Sequence, residues 1–456
     1  MTMPATGKNT QGKDDILPFF FPFLTFFPYL CPYMTTTTPF SRPLYVMAKP
    51  VGAMCNLACQ YCYYLDKSQL YPETARTLMD DHLLEQFIRD YIAAQTSDSV
   101  LFTWHGGEPL LRPVSFYQRV IHLQQRHAGG RHIENVIQTN GTRIDDRWAT
   151  FFHDHHWLVG VSIDGPRRFH DSFRKNRAHR GSFDDVMRGI DCLNRHHVEW
   201  NAMSVVNHLI ADHPLEWYHF FKKIGARYIQ FTPVVERIRK DTTTEAGRNG
   251  DDSHLPLAAV DEEGTLAPYS VTPGQWGSFL CTLFDEWVRN DVAEYYIQIF
   301  DATLANWMGV APGVCTMAET CGHAAAIEWN GDLYSCDHFV FPEYRLGNIR
   351  QRSIYEMMNS QQQRAFGEAK RSSLPHQCKV CQWLFACHGE CPRNRFCRTT
   401  DGEKGLNYLC DGYRKYFAHV APYMDYMRQR LLHEQAPAMI MEAIRRGEIP
   451  TANDNR

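Results

Sequence analysis

The sequence predicts an α/β protein: a parallel sheet curled into a barrel or part of one, followed by a cysteine-rich segment held by metal centres. Six short apolar runs between residues 43 and 234 alternate with amphipathic helical patterns, and strands that each feed a crossover helix make parallel sheets. Of fifteen cysteines, three lie between 55 and 62 and nine between 315 and 410, a clustering that points to metal ligation rather than a disulfide lattice. The rest is the balance of an ordinary soluble protein, 44% hydrophobic and 21% charged, and 456 residues are enough for two well-buried cores. A net charge of −4 without a basic run gives no reason to expect a nucleic-acid partner or an acidic substrate.

Residues 1–43 form an N-terminal extension. Its stretch ILPFFFPFLTFFPYLCPYM (16–34) is apolar enough to raise the membrane question, but Pro18, Pro22, Pro28 and Pro32 interrupt any spanning helix. Asp14 and Asp15 stand where a signal peptide carries positive charge, and no small-residue cleavage site follows. Three readings stay open: a disordered or mis-started extension with Met34 or Met47 as the true start, an interfacial anchor, or a signal or span. No membrane association is expected.

The barrel is expected over 44–275. Its strands are PLYVMAK (43–49), SVLFTWH (99–105), ENVIQT (134–139), WLVGVSI (157–163), EWNAMSVV (199–206) and RYIQFTPV (227–234). Leu83, Leu84, Phe87, Ile88 and Tyr91, and then Phe183, Val186, Met187, Ile190 and Leu193, repeat with the helical period. Residues 237–275 are polar and glycine-rich, a long excursion or linker. A connecting helical segment (276–311) carries Trp276, Phe279, Leu280, Leu283, Phe284 and Trp287 on one side. The cysteine-rich domain (312–412) is too rich in Cys, Gly and Pro to rely on a large apolar core. A helical tail (413–456) ends the chain.

Cys55-x3-Cys59-x2-Cys62 follows the first strand. Three thiolates on one short loop can ligate three irons of a [4Fe–4S] cube and leave the fourth iron open to a ligand. Zinc, the plainer alternative, takes four ligands, and no fourth Cys or His lies nearby. Gly106-Gly107-Glu108-Pro109 follows the second strand; alone it reads as a turn. Together with the aromatic Tyr61, these motifs resemble the radical S-adenosylmethionine (SAM) superfamily, whose fold is a partial (β/α)6 TIM-like barrel. That resemblance implies SAM contacts from Tyr61, Gly106, Gly107, Glu108, Ser162 and Arg174. Arg174 would hold the SAM carboxylate by a charge-assisted bond, the alternative being a solvated surface arginine. Asn140 is a further contact or simply an Asn-Gly turn.

Eight later cysteines suffice for two more clusters with four ligands each; a zinc ribbon is the alternative. Their pattern resembles the SPASM auxiliary domain of peptide-modifying radical SAM enzymes. The resemblance implies one cluster on Cys315, Cys321, Cys336 and Cys391, and another on Cys378, Cys381, Cys387 and Cys410, three [4Fe–4S] clusters in all. Cys31, Cys192, Cys281 and Cys397 are left over, Cys192 and Cys281 as buried helical thiols.

MAKPVGAMCNLACQYCYYL, TWHGGEP, SIDGP, FTPVVE and YSCDHFV are similar to segments of the anaerobic sulfatase-maturating enzymes. That family implies oxidation of a Cys or Ser of a sulfatase polypeptide to Cα-formylglycine by way of a 5′-deoxyadenosyl radical. It also implies Asp337 as general base, where a structural cap or salt bridge is the alternative, and an external one-electron donor such as flavodoxin or ferredoxin. Tyr64 is either a peptide contact or packing. Clusters of this kind imply a reducing, cytoplasmic setting. Two rivals remain: a SPASM-type maturase forming a thioether or carbon–carbon crosslink in another peptide, and a non-catalytic iron–sulfur electron carrier. The carrier needs neither an open iron nor GGEP.

Overall fold

The computed structural model describes residues 44–71, 78–239, 257–258 and 262–449. The expectations for residues 1–43 lie outside them.

All six expected barrel strands form: β1 (Tyr45–Lys49), β2 (Ser99–Trp104), β3 (His132–Thr139), β4 (Leu158–Ser162), β5 (Trp200–Val206) and β6 (Tyr228–Pro233). They pair in parallel in sequence order. Such strands are covered on both faces, so they read as near-continuous apolar runs, as Val-Leu-Phe-Thr-Trp does in β2. Among the described residues the α-helices between them are α1 (Asp81–Ala94), α2 (Val114–His127), α3 (Asp146–Asp154), α4 (Arg167–Phe173), α5 (Phe183–Arg195), α6 (His208–Ala211) and α7 (Pro214–Lys223). Asp80 caps α1 by accepting from the Leu83 amide. The buried face of α1 carries Leu83, Leu84, Phe87, Ile88 and Tyr91, the residues whose spacing predicts the helix.

The sheet does not stop at six strands. A two-residue β9 (Tyr296–Ile297) adds beside β6. On the other side β10 (Ala324–Glu328) pairs in parallel with β1, and β11 (Asp332–Tyr334) and β12 (Arg345–Asn348) follow antiparallel. The cysteine-rich segment therefore continues the barrel sheet. It also shares the main apolar core, through Ala325, Ile327, Leu333, Leu346 and Met357, contrary to the expectation that metal centres alone would organise it. Its strands are three to five residues long and sit among Gly and Cys, too short for their alternation to stand out.

Of the expected linker, the described part includes a hairpin, β7 (Arg237–Arg239) against β8 (Gly264–Leu266). Helix α8 (Pro273–Asn290) opens with a Thr272–Gln275 capping box and buries all six residues expected on one side. It packs against α10 (Cys410–Leu432), with α9 (Gln298–Trp307) between them in sequence. At the α8–α10 crossing, a Cβ on Gly277 would lie 2.9 Å from the Gly412 backbone, so this approach requires glycine. Cys410 is thereby fixed at the start of α10. Among the described residues no helix is long and apolar enough to cross a membrane.

Candidate active site and cluster-binding loops

The first cysteine loop leaves β1 at Lys49 and is pinned from both sides. Its Ala58 and Gln60 amides donate to the carbonyls of Lys175 and Phe173 beyond β4. On the other side the Gly107 amide donates to Gly52 at 2.7 Å and the Glu108 amide to Met54 at 2.9 Å. A Cβ on Gly107 would meet the Met54 carbonyl oxygen at 2.2 Å, so the second glycine of GGEP is there for backbone contact. Cys55, Cys59 and Cys62 line one small cavity with Leu57, Tyr64 and Gly107. Burial pushes the Cys55 thiol up to about 12, helped by Glu108, and burial also raises Cys59 and Cys62. Bound iron reverses that balance, since a coordinating thiol is deprotonated outright.

Glu108 is fully buried. Its carboxylate accepts from the Leu110 amide at 2.9 Å, the Thr139 hydroxyl at 2.7 Å and the Asn140 amide at 2.8 Å. It thus ties GGEP to the end of β3. Burial raises its pKa to about 6 against these bonds. Asn140 does form the turn, its Oδ1 accepting from the Thr142 amide, and its Nδ2 reaches Asn56 at 2.9 Å and the Cys55 sulfur at 3.7 Å.

Arg174 is buried rather than solvated. Asp164, just past β4, grips it in a fork at 2.9 and 3.2 Å and also receives the Tyr61 hydroxyl. Tyr61 and Arg174 therefore form one unit beside Cys59, whose thiol feels the guanidinium. Ser162, half-buried at the end of β4, accepts from Gln138 at 3.0 Å. Of the residues expected to hold SAM, Gly106, Gly107, Glu108, Tyr61 and Arg174 thus pack against or beside the first cysteine loop, while Ser162 bonds Gln138 at the end of β4.

The later cysteines gather in the two expected sets. Burial raises Cys336 first, then the charges of Cys315 and Cys391 do; Cys391 in turn feels Cys315 and Cys321. In the other set Cys387, pushed up to about 12 by burial, feels Cys410 and Cys378, and Cys410 feels Cys378 and Cys381. All are free thiols. The charge interactions among these thiols stay within each set, and four thiols per set are the donor chemistry of an iron–sulfur cube. Cys192 and Cys281 are buried in α5 and α8 as expected. The Cys192 thiol lies 3.4 Å from Asp146, whose carboxylate also holds His196 and Arg195. Cys397 stands half-buried outside both sets.

Asp337 follows Cys336 and lies against the C-terminal ends of β1 and β2. Its carboxylate pairs with the Lys49 ammonium and receives the Tyr63 hydroxyl. Burial alone would raise Asp337, but Lys49 outweighs it and holds the carboxyl well below the usual range. Lys49 is fully buried, 3.4 Å over the Tyr64 ring, and the Tyr64 hydroxyl bonds Glu328. His105 ends the β2 segment on the same side, where Asp337 and Lys49 both act on it. Beyond Asp337 opens a cavity of ≈ 170 Å³ lined by Tyr63, Lys67, Glu236, His338, Phe341 and Arg393, among others. His338 stacks on Tyr63 at 4.6 Å, and Arg393 bridges His338 and Glu236.

Lys49, Tyr63, His105, Asp164, His338 and Arg393 were not singled out from the sequence. Their signal was position: each lies at a parallel strand's C-terminal end or within two residues of a ligand cysteine, where functional residues collect.

The comparisons with known proteins agree with this geometry. The Radical SAM superfamily matches residues 50–221, and an iron–sulfur cluster-binding domain, SPASM, matches 315–382. A serine-type anaerobic sulfatase-maturating enzyme of Bacteroides thetaiotaomicron is 60% identical over 91% of this chain and 98% of its own. A cysteine-type anaerobic sulfatase-maturating enzyme of Clostridium novyi is 32% identical over 86% of this chain and 100% of its own. The structure of native anSMEcpe with bound AdoMet superposes with a TM-score of 0.73 at 28% identity, covering 85% of this chain and 100% of that one. That protein has also been solved with a Cp18Cys peptide.

Proposed function

This chain belongs to the anaerobic sulfatase-maturating enzymes of the radical SAM superfamily, and from that premise we propose that it is of the serine type, with Asp337 as the base. The enzyme carries [4Fe–4S] clusters and SAM and oxidises a side chain of a sulfatase polypeptide. The serine assignment rests on the 60% identity to a serine-type relative, against 32% to a cysteine-type one. The base assignment is carried by one observation: a carboxylate paired with a buried lysine, bonded to Tyr63 of the cavity wall and one residue from Cys336. A carboxylate so held can accept the hydroxyl proton once the substrate is seated.

Cys55, Cys59 and Cys62 would hold the SAM cluster, and Tyr61, Gly106, Gly107, Glu108, Ser162 and Arg174 would frame SAM beside it. When bound, these groups supply a one-electron cleavage and the abstraction of a hydrogen atom from the target Cβ. The protein's part is to seat the peptide in the cavity lined by Tyr63, His338 and Arg393, keep water out, and take the hydroxyl proton at Asp337. Cys315, Cys321, Cys336 and Cys391, with Cys378, Cys381, Cys387 and Cys410, would hold the two auxiliary clusters that accept the remaining electron. A flavodoxin or ferredoxin in a reducing cytoplasm is the proposed electron source.

The test is an anaerobic incubation of reduced enzyme and SAM with a sulfatase-motif peptide in Ser and Cys versions, read by mass spectrometry. The Ser peptide should lose the mass of two hydrogens. Asp337→Asn should slow this by roughly 10²–10⁴-fold, the contribution of a positioned base, with iron content unchanged. If 5′-deoxyadenosine accumulates while both peptides stay intact, the target is a different peptide.

A further inference from the structure

The imidazole of His105 has its two nitrogens in different situations. The Gly106 amide donates to Nδ1 at 2.8 Å, so Nδ1 carries no proton and the neutral ring carries it on Nε2. Burial pushes the ring's pKa down to about 4, which keeps it neutral at physiological pH. The His105 amide donates to the Ala48 carbonyl at 2.8 Å, which fixes the residue beside Lys49 on the β1 side of the sheet. Among the described residues, Nε2–H meets no hydrogen-bond acceptor. A half-buried donor of fixed tautomer therefore stands unengaged on the side of the sheet where Asp337 and Lys49 meet.

We infer that His105 determines preference for serine: its Nε2–H hydrogen-bonds the oxygen of the target side chain and stabilises the negative charge that builds there as the proton leaves. This rests on the assignment of the chain as a side-chain oxidase with Asp337 as base. In the step, the Cβ–H bond breaks and its hydrogen atom would go to the adenosyl carbon of SAM, whose bond to the methionine sulfur would first be broken by one electron from the cluster that Cys55, Cys59 and Cys62 would hold. The O–H bond breaks and its proton goes to Asp337. One electron passes to an auxiliary cluster, and the C=O double bond forms. The side chain is oxidised by two electrons; the cofactor and the cluster take up one each.

The help matters unequally for the two substrates. A hydroxyl gives up its proton far less readily than a thiol, whose ordinary pKa is about 8.5, so the oxygen needs a donor aimed at the developing charge. Sulfur is a weak acceptor and gains little from an N–H. A donor of this kind, aimed at an oxyanion, is worth roughly 10²–10³-fold in rate.

The experiment compares wild type, His105→Leu and His105→Gln, each loaded with clusters and SAM, on matched Ser and Cys peptides. Aldehyde formation is followed by mass, and iron content and SAM binding are measured alongside. Expected is a fall of roughly 10²–10³-fold on Ser for His105→Leu, against less than about 10-fold on Cys. His105→Gln, whose amide N–H can take the place of Nε2–H, should recover most of the Ser rate. If Cys turnover is undetectable, that recovery alone decides. Should His105→Leu fail to load, His105→Asn, whose amide is too short to reach, replaces it. Equal losses on both peptides, or an unchanged Ser rate, overturn the inference. A wild type that oxidises neither peptide overturns instead the functional assignment on which it rests.

Discussion

Glu108→Gln separates two roles for the acidic residue of GGEP. If its carboxylate served chiefly as a cofactor ligand, the substitution would weaken SAM binding and leave the empty fold untouched. The structure instead commits the carboxylate to three internal donors: the Leu110 amide, the Thr139 hydroxyl and the Asn140 amide. Glutamine keeps one oxygen for Leu110 and Thr139 but turns its NH2 toward the Asn140 amide, donor against donor. The lost charge-assisted bond is worth about 1.5–3 kcal/mol, and leaving buried N–H groups unpaired costs about 1–3 kcal/mol more. Against this, glutamine is spared the burial of a charge. The rise of Glu108 from 4.5 to about 6 sets that relief at about 2 kcal/mol. The net loss is about 0.5–4 kcal/mol. For a chain this long each kcal/mol moves Tm by roughly 1 °C. The assay is an anaerobic melt of cluster-loaded protein without SAM, at one scan rate because unfolding of such proteins is rarely reversible. A Tm equal to or above that of wild type, with SAM affinity lost, would refute the bracing role.

Two further outcomes follow from the same structure. His170 is fully buried, with Nε2 2.9 Å from Ser182, and burial lowers its pKa from 6.5 to about 3. The unfolded chain then binds the extra proton first, so stability falls as pH drops below 6.5, by up to about 1.4 kcal/mol per unit. In His170→Gln the decline of Tm from pH 6.5 to 5.5 should be shallower; an identical slope would show that His170 does not titrate as described. Cys315→Ser and Cys378→Ser should each lower iron by at most one cluster, and the double variant should lose two; Cys192→Ala should lose none. A loss of both auxiliary clusters from either single change would contradict the division into two sets.

The barrel was legible because its signals are local. Each parallel strand is an apolar run of five to eight residues, and each long helix writes its buried face at the helical period. The iron–sulfur chemistry was legible because cysteines in these spacings have few other uses. Of the added strands, β10 was hidden because its pairing with β1 spans nearly 280 residues in sequence (Tyr45 to Ala324), and nothing local marks a strand for so distant a partner; β11 and β12 are only three and four residues long. Lys49 shows the same limit. In sequence it is a lysine before a proline; only the fold reveals that it is fully buried between Asp337 and Tyr64.

That distant pairing is also what assembles the site. β10 lies parallel to β1, so the antiparallel β11 runs back along it toward Tyr45, and beyond Ser335 and Cys336 the Asp337 carboxylate meets the Lys49 side chain. The proposed base and one proposed ligand of an auxiliary set are consecutive residues, so the proposed acceptors of the proton and the electron are fixed to one short turn. Lys49 and His105 come from the neighbouring strand ends, and Tyr63 follows directly on Cys62. A substrate hydroxyl delivered to Asp337 therefore meets groups from both cluster-bearing segments at once. Had the cysteine-rich segment been a separate domain on a flexible linker, that registry would depend on domain docking. As part of one hydrogen-bonded sheet, it is set when the sheet forms.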